Sequence, residues 1–103
     1  MSGGLEPIFE RLVAAEINIL PGPAPGWVLF NRGEYVALVE RTEAGLGRRG
    51  MGGLLTSAGF AALTWVGESA YFAAKGGQRF AASADEIASL RTFQADLEKA
   101  ITG

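Results

Sequence analysis

The sequence predicts a single small α/β domain of the α+β type: a mostly antiparallel sheet of about five strands with N- and C-terminal helices, in the order α-β-β-α-β-β-β-α. Three observations predict it. Apolar residues recur at spacings of three and four near the beginning and the end of the chain. Between those segments lie short runs rich in aromatic and β-branched residues, separated by turn residues. The 103 residues suffice for one hydrophobic core and are too few for two, so the whole of 1–103 is read as one domain with a flexible start over 1–4.

Leu5, Ile8, Phe9, Leu12, Val13 and Ile17 set the first helical period, with Glu6, Glu10, Arg11 and Glu16 mostly on the other side. Pro7 suits the first turn, where its missing N–H costs nothing. The helix is expected to run from Pro7 to Ile17 or Ile19. It meets Pro21-Gly22-Pro23-Ala24-Pro25-Gly26, read as a stiff connector over 21–26 that carries the chain from helix to sheet, with a proline-motif ligand as the alternative.

Trp27-Val28-Leu29-Phe30 and Tyr35 to Val39 read as a β-hairpin around Asn31-Arg32-Gly33-Glu34. On the second strand Tyr35, Ala37 and Val39 face one way and Val36 and Leu38 the other, so both faces are expected to be covered, one by helix and the other by helix or a partner subunit. A short helix is expected over Met51 to Ala58, ended by Gly59. Ala61 to Val66 reads as a strand, and Ala70 to Lys75 with Gln78 to Ala82 as a hairpin around Gly76-Gly77. Ser83-Ala84-Asp85-Glu86 has the form of a capping box, after which Ile87, Leu90, Phe93, Leu97 and Ile101 mark a final helix of about four turns.

Composition narrows the function. There is no cysteine and no histidine, which excludes disulfides, thiolate zinc sites, a cysteine nucleophile and every histidine-assisted arrangement. The formal charge of -2 gives no global field toward nucleic acid or an anionic membrane. The start of the chain lacks the pattern of a secretory signal and no apolar run is long enough to span a bilayer, so a cytoplasmic location is expected, with no membrane partner. Mean hydropathy is +0.20 and 49% of residues are hydrophobic, high for so small a domain, which motivates homo-oligomerisation.

Gly45-Leu46-Gly47-Arg48-Arg49-Gly50-Met51-Gly52-Gly53 is the one stretch where chemistry could reside. It matches G-x-G-x-x-G, but four residues separate its first glycine from the preceding strand and no second nucleotide-binding half follows. Read more loosely as a loop, Gly45, Gly47 and Gly50 could turn successive N–H groups toward an anion while Arg48 and Arg49 grip phosphate. The alternative is a plain surface loop. Glu34, Glu40, Glu43 and Glu68 lie near strand ends, as a metal-dependent nuclease would require, although the lysine two residues after a strand acid is absent. Strand aromatics such as Trp27, Trp65 and Tyr71 suit core or interface better than base stacking, because few basic residues interleave with them.

The element order resembles the core of the restriction-type nuclease superfamily, and also that of roadblock-type small α/β domains. The second resemblance implies a five-stranded antiparallel sheet flanked by helices, dimerisation, and a surface presented to a GTPase. The expected function is a non-catalytic protein-interaction or regulatory module that forms a homo-oligomer, engages another protein and needs no cofactor or metal. The alternatives are an anion or nucleic-acid binder working through Arg48 and Arg49, and a small metal-dependent nuclease.

Overall fold

The computed structural model describes residues 6–22, 24–56, 59–74 and 77–103. Among the described residues nine elements follow one another: α1 (Glu6–Ala14), β1 (Asn18–Pro21), β2 (Trp27–Arg32), β3 (Tyr35–Thr42), β4 (Gly45–Thr56), β5 (Gly59–Val66), β6 (Ser69–Ala74), β7 (Arg79–Ala81) and α2 (Ala84–Thr102). The strands form one seven-stranded sheet whose order in space is their order in sequence, every neighbouring pair antiparallel. The antiparallel sheet and both terminal helices are as the sequence predicts. The strand count and the element order are not.

The largest correction concerns the middle helix. Residues 51–56 belong to β4, and residues 57 and 58, the end of the expected helix, lie outside the described residues. Gly52 and Gly53 each disfavour helix by about 1 kcal/mol. The same two residues pair with Ala37 and Val36 of β3, and Gly53 with Ala62 of β5, so ladder hydrogen bonding on both sides decides the conformation. Without that helix, neither order-based resemblance retains its α-β-β-α-β-β-β-α basis.

The second correction is at the first helix, which ends at Ala14, short of Ile17. The N–H of Glu16 donates to Val13 O at 3.0 Å and that of Ile17 to Leu12 O at 2.9 Å, the paired bonds of a Schellman ending. The apolar contact that accompanies such endings is made by Leu12 and Ile17, both buried in the main core. The chain then turns directly into β1, which takes up Pro21 from the expected connector.

The β6–β7 hairpin forms, with Ala74 N donating to Gln78 O at 2.8 Å, while Lys75 and Gly76 lie outside the described residues. The capping box of α2 is complete: Ser83 Oγ accepts from Glu86 N at 3.1 Å, and the Glu86 carboxylate accepts from Ser83 N at 3.0 Å. At 19 residues α2 is longer than the expected four turns.

Both helices lie on one face of the sheet, α2 against β3 and β4 and α1 against α2. Leu12 and Ile17, Phe30, Ala37 and Val39, Leu54, Phe72, and Leu90, Phe93 and Leu97 of α2 make the main core between the layers. Arg32 reaches from β2 to both helical segments. It donates to Ala15 O at 3.2 Å, pairs with Asp96 at 2.9 Å, and sits over the Phe93 ring, 5.6 Å from its centroid. Arg11 Nε of α1 donates to Ala100 O near the end of α2 at 2.7 Å, a cation placed on the negative end of the helix.

The opposite face has its own smaller cluster of Leu29, Val36 and Leu38, with Leu20, Trp27 and Phe60 packed against it. No helix residue belongs to this cluster among the described residues. Val36 is nevertheless fully buried, so within the chain these side chains of the sheet, and not a helix, cover this part of the face.

Candidate functional site

The glycine and arginine stretch singled out by the sequence is the first three-quarters of β4. Its register against β3 runs Ala37 to Gly52, Val39 to Arg49 and Arg41 to Leu46. Two residues of β4 therefore oppose one of β3 twice, Gly50-Met51 across from Leu38 and Gly47-Arg48 across from Glu40. These are β-bulges, which bend the strand and deepen its twist.

The glycines make room. A Cβ on Gly50 would lie 2.8 Å from Cζ3 of Trp27 and 3.1 Å from Cβ of Leu38, so its absence lets the indole lie against the bulge. A Cβ on Gly52 would run into the Gln94 amide and approach Leu90 of α2, so Gly52 is where the helix comes down onto the sheet. A Cβ on Gly53 would collide with the backbone of Ala61. Of this stretch only Gly45 has left-handed backbone, with φ of 122°. The N–H groups of β4 are those of a strand, with no helix start following them.

Each arginine meets a carboxylate. Arg48 Nε and Nη2 donate to the two carboxylate oxygens of Glu40, both at 3.2 Å. Arg49 Nε and Nη2 donate to Glu98 of α2 at 2.9 and 2.8 Å, and its Nη1 donates to Gly47 O. Hydrogen bonds from the Arg48 side chain and backbone N–H hold Glu40 below the usual carboxylate range, and the same pair raises Arg48. The Arg49 guanidinium likewise lowers Glu98. Both forks are thus engaged bidentately by acids, the geometry that phosphate would have to displace. One pair staples a bulge to β3, and the other ties β4 to α2.

The structure scatters the acids considered for metal chemistry. Among the described residues no group of three or more Asp and Glu side chains is placed to hold a metal ion. Glu40 is occupied by Arg48. Ser69 begins β6 and Ser83 caps α2, with no histidine in the chain to activate either as a nucleophile, while Ser57 and Lys75 lie outside the described residues. Among the described residues no helix is long and apolar enough to cross a membrane.

What the sequence pattern missed is a surface. Phe9 and Val13 were read as part of the buried stripe of α1, but they are 46% and 75% exposed. Ile8 and Leu12 take the inward direction, and Phe9 and Val13 lie about 100° round the helix from them, one turn apart on one line. A helix with two apolar lines instead of one was the available signal. Beside Phe9 a cleft of about 120 Å³ opens between α1 and the sheet, walled by Ile8, Leu12, Ile19, Val28 and Leu46, with Arg41 also lining it. Ile19, on the open edge strand β1, is 43% exposed. A second exposed set, Leu55, Trp65, Val66 and Phe80, lies on β4, β5 and β7.

No family model matches the chain, and neither does any curated protein or solved structure among those compared.

Proposed function

We propose that the chain is a non-catalytic interaction module that self-associates and offers the remainder of its sheet to another protein. The observation that carries this reading is that exposed Phe9 and exposed Ile19 border one apolar cleft, with exposed Val13 one turn beyond Phe9 on α1. Isolated apolar side chains on a surface are ordinary, whereas a contiguous set beside an apolar cleft marks a contact surface. The electrostatics support the same reading. Arg48, Arg49 and Arg32 are each closed on a carboxylate within the fold, which makes them parts of the scaffold.

Sedimentation velocity over a wide range of protein concentration tests it. The expected result is a mass that rises from one chain toward two as concentration increases. A single-chain mass throughout would overturn the self-association.

A further inference from the structure

We infer that α1 and β1 form a two-fold interface between two copies of this chain, Phe9 of each copy entering the other's cleft and Glu10 of each pairing with Arg41 of the other. This rests on the self-association proposed above and names its surface. A two-fold contact uses the same patch on both copies, so that patch must be complementary to itself. This one is: it carries an exposed aromatic side chain and an apolar cleft next to each other. At about 120 Å³ the cleft is well below the roughly 300 Å³ at which small-molecule sites begin, which favours a single side chain over a metabolite as its occupant.

The charges match in the same way. Glu10 follows Phe9 on the exposed side of α1, and Arg41 lines the cleft that Phe9 borders. Both are exposed, and neither takes part in an ion pair among the described residues, in contrast to Arg32, Arg48 and Arg49. Two copies related by a two-fold axis bring each acid to the other's base. The same docking shields β1, a four-residue edge strand whose outer backbone groups face no neighbouring strand among the described residues. A nine-residue helix is only about 14 Å long, so a contact approaching the ~800 Å² per partner of a stable complex has to include β1 as well as α1.

A charge swap is the test, read as the dimer dissociation constant by sedimentation. Arg41→Glu and Glu10→Arg are each expected to weaken the dimer about tenfold, since attraction becomes repulsion at two symmetric places. The double variant Glu10→Arg, Arg41→Glu is expected to restore it. Both positions are exposed, so thermal unfolding of the variants should stay close to that of the parent chain. Phe9→Ala supplies an independent reading, with dimer loss expected. A parent chain that dimerises with an affinity untouched by all these changes overturns this interface and leaves self-association standing. A parent chain that never dimerises overturns both.

Discussion

Glu16 is the one non-glycine residue with left-handed backbone among the described residues, at φ of 60°. It occupies the position after a helix end where glycine is favoured, because a Cβ there costs roughly 1 kcal/mol. The Schellman hydrogen bonds and the buried Leu12–Ile17 contact hold it in place. Glu16→Gly is therefore expected to stabilise the fold by about 0.5 to 1 kcal/mol, seen as a higher Tm by circular dichroism. Gly53 is the opposite case: its backbone is ordinary but its space is not. Gly53→Ala puts a methyl group into the Ala61 backbone and should cost about 2 to 3 kcal/mol in chemical denaturation. Gly52→Ala meets first the movable end of Gln94 and should cost less.

At the scale of the element, β4 shows why a glycine-rich stretch misleads a reader of sequence. Glycine implied a loop because its usual service is positive φ, but Gly47, Gly50, Gly52 and Gly53 serve by lacking a side chain where Thr42, Trp27, Gln94 and Ala61 come close. Those neighbours lie up to 42 positions away, so no local pattern contains them. The features that were legible were local: the capping box at Ser83, the Trp27 to Val39 hairpin, and the stripe of Leu90, Phe93 and Leu97. Likewise the arginines drew attention through their charge, while their partners Glu40 and Glu98 emerged only when β4 was laid between β3 and α2. The Arg49–Glu98 pair makes a pH prediction. Glu98 is depressed in the fold, so the stability it contributes is present above its unfolded value near 4.5 and disappears as pH falls through the lower folded value. Glu98 is partly exposed and solvent screening keeps the pair at or below about 1 kcal/mol. Comparing parent chain and Glu98→Gln by denaturant unfolding, the difference should be seen at pH 7 and fade below pH 4.

The whole molecule measures 44 by 27 by 25 Å, whereas α2, at 19 residues, spans only about 28 Å. One long helix and one short one cannot roof seven strands, and Trp65 and Phe80 stay exposed on the later strands as a result. On the far face the buried cluster among the described residues is that of Leu29, Val36 and Leu38, where the bulges of β4 bend the sheet under Trp27. Self-association through α1 and β1 would leave that far face open to a different protein.

The purely sequential strand order also bears on how the chain is made. Each strand finds its partner in the segment synthesised just before it, so the sheet can grow by short hairpin closures as the chain emerges. The helical layer cannot: Arg11 must wait for Ala100, 89 residues later. Until the last turns of α2 arrive, Phe30, Val39 and Phe72 stand without their roof. A nascent chain is thus most prone to aggregation in the interval when the sheet is complete and α2 is not yet made.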